Sequence, residues 1–288
     1  TWIDSTAPGG VVDATAGSGN SLVGSQSTDH VGSGGFVGPN STWSGYNLPY
    51  NLALSPSWGD GSGAITRIDA SVKSGVLDAS NSFVGGSNTD PVGLTCFEYY
   101  YGCTNITTFG NGAWILRSDN LGNGSQTGFT VFAPDSAVTG TIGSGNSILV
   151  SHADLLNGGD LVTDSSLGNR AVLFMPFWDT DRGAVRIIDT DAIAAPGVTA
   201  AANTGATSAS NALVGNAGDF VGGNWGGYWG QLHFEGPEGD KRIMVFSPQW
   251  NGGRGALTFI DPAAPLTGTV SASNSLVGES GSSVNYYN

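Results

Sequence analysis

Asn20-Ser21-Leu22-Val23-Gly24 is the stretch that decides the fold, because it returns as Asn81-Ser82-Phe83-Val84-Gly85, Asn146-Ser147-Ile148-Leu149-Val150, Asn211-Ala212-Leu213-Val214-Gly215 and Asn274-Ser275-Leu276-Val277-Gly278. Successive Asn positions lie 61, 65, 65 and 63 residues apart. Two further phrases keep a fixed order before it. One is Leu54-Ser55-Pro56-Ser57-Trp58, with copies at Phe174-Met175-Pro176-Phe177-Trp178 and Phe246-Ser247-Pro248-Gln249-Trp250. The other is Gly63-Ala64-Ile65-Thr66-Arg67-Ile68-Asp69, with copies at Gly183 to Asp189 and Gly255 to Asp261, a looser one at Gly128 to Phe132 and a tail at Thr1 to Asp4. The segment Leu116-Arg117-Ser118-Asp119 holds the place of the first but lacks both Pro and Trp. A fixed period of this size marks a repeat architecture.

Each unit reads as strands. Ala171 to Phe174 and Ile243 to Phe246 are short apolar runs stopped before Pro, and Ala256 to Ile260 is β-branched and aromatic and stops at Asp-Pro. No sustained helical period appears, and Pro196-Gly197 interrupts the Ala-rich run Ala192 to Ala202. The unit is therefore about four short strands with Gly, Asn and Asp turns. Such a unit cannot bury both faces of its own sheet, so neighbours must cover them. The expected fold class is all-β, a β-propeller-like array of about four to five four-stranded blades; the alternative is a linear stack of β-sheet repeats. The whole chain, 1–288, reads as one repeat domain with units at 20–80, 81–145, 146–210 and 211–273, and partial units at 1–19 and 274–288.

The phrases together resemble the repeats of filamentous-haemagglutinin-like bacterial surface proteins. More distantly they resemble the FG-GAP blades of integrin-type propellers. The resemblance implies a repeated β architecture. Integrin-type blades often carry an Asp-rich calcium loop; the matching segments here keep one acid each, at Asp29, Asp90 and Asp219.

Charge and composition remove several functions. Nine Lys and Arg against 23 Asp and Glu give a formal net charge of −14, which opposes binding to nucleic acid. No apolar run approaches the length of a membrane-spanning helix. Gly is abundant at 47 residues but has no Gly-X-Y period, so collagen is excluded. Thr1 in place of Met is read as a processed or excised chain. Cys96 and Cys103 are the two cysteines, and a local disulfide between them fits an exported protein, with two free thiols as the alternative. Asn40, Asn105 and Asn123 head glycosylation sequons that matter where the source glycosylates.

Residue patterns that carry chemistry are few. His30, His152 and His233 form no zinc-protease pair, and no Gly-x-Ser-x-Gly elbow exists. Asp179 and Asp181, in Asp179-Thr180-Asp181-Arg182-Gly183, are the calcium candidates, since alternating carboxylates before a Gly offer hard oxygen ligands; the competing reading is a plain strand-connecting turn. No cofactor is required by the sequence, with Ca²⁺ the one ion considered. The acidic stretch Glu235 to Asp240 reads as a solvated loop. Trp58, Trp178 and Trp250 recur once per unit and read as packing residues. A second aromatic group lies in insertions outside the phrases: Trp43 and Tyr46 with Tyr50; Tyr99, Tyr100 and Tyr101 beside the cysteines; and Trp225, Tyr228 and Trp229. These are the candidate binding residues, suited to stacking on sugars or packing against a next subunit.

Repetition without a unique polar constellation points to a non-catalytic extracellular protein, an adhesin or the structural subunit of a surface fibre. Self-association through the split terminal repeat is expected, with a glycan or cell-surface molecule as the further candidate partner. The alternatives are a carbohydrate-binding, lectin-like propeller and a propeller glycan hydrolase or lyase.

Overall fold

The computed structural model describes residues 14, 21–38, 50–68, 74–87, 92, 104–134, 136–155, 159–164, 167–192, 203–223, 232–236, 242–279 and 284. The chain divides into two compact units, Thr1–Leu149 with Ile193–Thr204 and Val150–Ala192 with Gly205–Asn288. Among the described residues no helix is long and apolar enough to cross a membrane.

The first unit begins with β1 (Leu22–Val23), β2 (Gly35–Val37), β3 (Asn51–Ser55), β4 (Ala64–Ile68), β5 (Gly75–Val76) and β6 (Phe83–Val84). It continues with β7 (Thr104–Thr108), β8 (Trp114–Asn120), β9 (Gln126–Phe132), β10 (Gly140–Thr141) and β11 (Ile148–Ser151). The second carries β12 (Asp160–Thr163), β13 (Arg170–Met175), β14 (Ala184–Asp189), β15 (Leu213–Val214), β16 (Leu232–Glu235), β17 (Arg242–Ser247), β18 (Ala256–Ile260), β19 (Gly268–Thr269) and β20 (Leu276–Val277).

One four-stranded pattern appears four times, as β2-β3-β4-β6, β7-β8-β9-β11, β12-β13-β14-β15 and β16-β17-β18-β20. The expectation of an all-β chain with about four short strands per unit is met. The sheet and the sequence period are offset, however. Three strands come from one unit, and the fourth is the Asn-Ser phrase that opens the next. It pairs antiparallel with the Gly-Ala strand, as in Ile65 opposite Phe83 and Leu257 opposite Leu276.

The same phrase also receives a parallel strand on its outer side. β1 takes β5, β6 takes β10 and β15 takes β19, each over two residues. The bonds repeat with the strands. Gly75, Gly140 and Gly268 donate to the carbonyls of Ser21, Ser82 and Ala212, at 3.0 Å in each case. Leu77, Ile142 and Val270 donate to Val23, Val84 and Val214 at 2.8 to 2.9 Å. These bonds tie a late strand of a unit back to the phrase that opens it, and at β6 and β15 they add a fifth strand to the preceding four-stranded pattern, a partner that an isolated sheet would lack.

Within each unit the two four-stranded sheets also pack face to face. Residues directly opposite in antiparallel strands point to the same face, so Leu54, Ile65 and Phe83 share one face of the first sheet. All three are buried and cluster with Ile106, Trp114, Leu116 and Phe132 of the second sheet. Trp114 stacks on Phe132 at 4.2 Å, Phe83 meets Phe132 edge-on at 5.2 Å, and Trp114 Nε1 donates to the buried Tyr50 hydroxyl at 2.6 Å. In the second unit Phe174, Val185 and Leu213 likewise pack against Ile243, Val245 and Ile260. Each such side chain, fully buried, is worth about 1.5–3 kcal/mol.

Candidate functional site

The conserved phrases of each unit converge on the turn between its second and third strands. Three consecutive residues there take positive φ: Gly59, Asp60 and Gly61; Gly122, Asn123 and Gly124; Asp179, Thr180 and Asp181; Asn251, Gly252 and Gly253. Each trio makes a single left-handed turn. Gly, Asn and Asp are the residues that tolerate this backbone, which accounts for their density here. Thr180, at φ 63°, is the β-branched exception. The glycine that follows, Gly63, Gly183 or Gly255, runs against the backbone of Val92, Val221 or Val284, where a Cβ would collide.

Two of the acids left over in the loops, Asp29 and Asp219, have a structural task, and Asp90 lies outside the described residues. Asp29 Oδ2 accepts from the Gln26 N–H at 2.8 Å and Ser25 Oγ at 3.2 Å, while Oδ1 accepts from the Gly59 N–H at 3.0 Å. Asp219 repeats this: Oδ2 accepts from the Asn216 N–H at 2.7 Å, and Oδ1 from the Asn251 N–H at 3.0 Å. Both carboxylates thus clasp the first residue of a left-handed turn about 30 residues ahead. Burial pushes the Asp29 carboxyl up, but the Gln26 and Gly59 amides and the Ser25 hydroxyl outweigh it and hold it below the usual carboxylate range.

The Asn of the phrase is a knot. Asn81, Asn146, Asn211 and Asn274 accept through Oδ1 from the N–H three residues earlier and donate through Nδ2 to the carbonyl five residues earlier. The following Ser donates its hydroxyl to the same Oδ1 in three copies. Having spent its proton there, it accepts from a Thr on the neighbouring strand: Thr66 to Ser82, Thr130 to Ser147 and Thr258 to Ser275, at 2.6 to 2.7 Å. The fourth copy changes both partners together. Arg186 stands where Thr would be and Ala212 where Ser would be, and the fully buried guanidinium donates to the Gly205 carbonyl at 3.2 Å. Burial pushes Arg186 down to about 10.

Asp179 and Asp181 lie in the left-handed turn after β13, and Asp179 pairs with Arg182 at 2.9 Å. Among the described residues no group of three or more His, Cys, Asp or Glu side chains is placed to hold a metal. Trp58 and Trp250 are half-buried and donate through Nε1 to the Leu77 and Val270 carbonyls, at 3.2 and 3.1 Å. Trp178 lies under the Arg182 guanidinium at 5.3 Å. His30 is exposed, His152 is half-buried and His233 lies in β16, so these three stand on separate elements. The candidate binding residues Trp43, Tyr46, Tyr99, Tyr100, Tyr101, Trp225, Tyr228 and Trp229 fall outside the described residues, as do Cys96 and Cys103. Sequence reasoning missed the clasp and the hydroxyl pair. Their signal was the recurrence of an acid eight or nine residues after the Asn of the phrase, at Asp29 and Asp219, and the joint change at Arg186 and Ala212.

The family model for DUF5650, a repeat of unknown function, matches residues 1–33, 51–94 and 243–284. The second and third segments each run from a central strand through the left-handed turn to the valine that meets the Gly before Ala, Val92 or Val284. The match supports repetition and carries no link to filamentous haemagglutinin or FG-GAP repeats. No curated protein matches the chain.

Proposed function

We propose that the chain is a non-catalytic extracellular repeat protein whose work is assembly, as an adhesin or the structural subunit of a surface fibre, with its sheets arranged as propeller-like blades or as a linear stack. The observation that carries this reading is where the recurring polar groups are spent. The Asn knot, the Ser and Thr hydroxyls and the two clasping aspartates bond to one another and to the backbone of the repeat. Selection on such groups is selection for a unit that can be repeated. The acidity of the chain, at −14, suits a solvated surface rather than a nucleic-acid partner.

Electron microscopy of natively purified material in calcium-containing buffer tests the reading. Regular filaments with one subunit per short axial repeat are expected. Discrete closed particles would contradict assembly and turn attention to the aromatic insertions as a glycan-binding surface.

A further inference from the structure

We propose that the last sheet, β16-β17-β18-β20, docks a second copy of this chain head to tail, across the face that carries Met244, Phe246, Leu257, Phe259 and Leu276. This rests on the assembly reading above and names the surface that would perform it. The face follows from register. Met244 lies opposite Phe259, Phe246 opposite Leu257, and Leu257 opposite Leu276, so all five point the same way; Phe246 is already buried within the chain and Met244 half-buried, which leaves Phe259 and Leu276 as the exposed part of the face.

The preceding sheet shows what that face is for. Its equivalents are Val172, Phe174, Val185, Ile187 and Leu213, joined by the same pairings. There they form one apolar cluster with Ile243, Val245, Ile260 and Val270 from the following repeat. Leu213 is 0% exposed in that setting, and Phe83, its counterpart in the first sheet, 1%. In the last sheet Leu276 is 63% exposed and Phe259 43%, two of the four strongly exposed large hydrophobic side chains among the described residues. Leu257 is half-buried where Ile65 and Val185 are buried. The edge repeats the contrast. β6 and β15 each carry a parallel strand bonded to the carbonyls at the start and end of the phrase, whereas among the described residues β20 ends its sheet. β11 ends its sheet as well, but its Ile148 is buried.

An exposed apolar patch beside a strand that takes no further partner strand among the described residues matches what a following repeat already covers inside the chain. A second copy brings the same kind of repeat, so the internal interface continues between molecules. The contact is heterologous and propagates rather than closing as a two-fold dimer.

Sedimentation velocity on the full chain over a concentration series tests this with Leu276→Asp and, separately, Leu276→Ser. The side chain is already largely in water, so both variants are expected to keep the wild-type circular dichroism spectrum and melting curve. Wild type is expected to form concentration-dependent oligomers, and Leu276→Asp to weaken association by about tenfold or more, with Leu276→Ser between. Because only one end of the variant is blocked, adding it to wild type should cap and shorten the wild-type oligomers. Wild-type oligomers that are indifferent to both substitutions would overturn this surface while leaving the assembly reading in place. A wild-type chain that stays monomeric at every concentration would overturn both.

Discussion

Asp219 and Asp154 occupy the same place in two successive repeats of the second unit, eight residues after the Asn of the phrase, and they behave in opposite ways. Asp219 is buried and clasps the Asn251 amide at the head of the next left-handed turn. Asp154 is half-buried and takes the Ser151 amide, but it faces the Asp179 carboxylate in the corresponding turn. Burial first, and then the Asp179 charge, push its carboxyl up despite the Ser151 bond. The cause lies one phrase earlier. A Cβ on Gly215 would crowd the Asp219 Cβ and the Arg182 carbonyl, and at Gly24 it would crowd Asp29. The third copy of the phrase ends in a buried valine, Val150, so a side chain stands where the other two loops have Gly. The same acid is a staple or a liability according to whether the phrase before it ends in Gly.

That comparison can be broken in graded steps. Asp219→Ala removes a buried acceptor of two backbone amides, so about 2–4 kcal/mol of unfolding free energy should be lost in chemical denaturation. Asp154→Ala should cost little or be neutral at pH 7. Equal losses at the two positions would remove the distinction. Gly215→Val transplants the third repeat's solution into the fourth, and the displaced carboxylate should cost about 2 kcal/mol, read as a lowered melting temperature.

The pH dependence sharpens the same contrast. Asp154 has a raised folded-state pKa, so the folded state holds its proton more tightly than the unfolded one. Its contribution is present at low pH and is lost as pH rises from the ordinary carboxylate value through the raised one. Asp154→Asn should therefore stabilise at neutral pH, by a few tenths to about 1 kcal/mol given its partial exposure, and the gain should vanish in acid. Asp29, held low, has the opposite sign: its contribution is present at neutral pH and is lost as pH falls through the lowered value. Matched melting curves of Asp154→Asn, Asp29→Asn and wild type from pH 3 to 7 read both. The smallest effect is expected at Thr180, whose left-handed backbone carries a β-branched side chain where other turns have Asp60, Asn123 and Gly252. Thr180→Asn should gain about 0.5–1 kcal/mol in thermal unfolding.

The repeat, its all-β character and its four strands were legible because period and apolar runs are local properties of the sequence. The offset between sheet and period was not, because the Asn-Ser phrase pairs with strands before and after it, as Phe83 does with Ile65 and Gly140. The acids of the loops, read against a calcium-loop pattern, are staples at Asp29 and Asp219, since a carboxylate's partner here is an amide some 30 residues away. The second repeat, 81–145, which lacks the Pro and Trp, still builds its hairpin. Leu121 packs at the place of Trp58, and Asp119 accepts from Arg117 and from Thr127 across the hairpin.

The central claim is that one recurring bond pattern ties a late strand of the repeats 20–80, 81–145 and 211–273 back to the Asn-Ser strand that opens each of them. Amide hydrogen exchange by NMR at Leu77, Ile142 and Val270 tests it most directly. These three amides donate from a late strand of a repeat to the Asn-Ser strand that opens it, so they should be protected to the same degree as in-sheet amides such as Val172 and Val245. Exchange as fast as at the exposed turn amide of Ser273 would contradict the account.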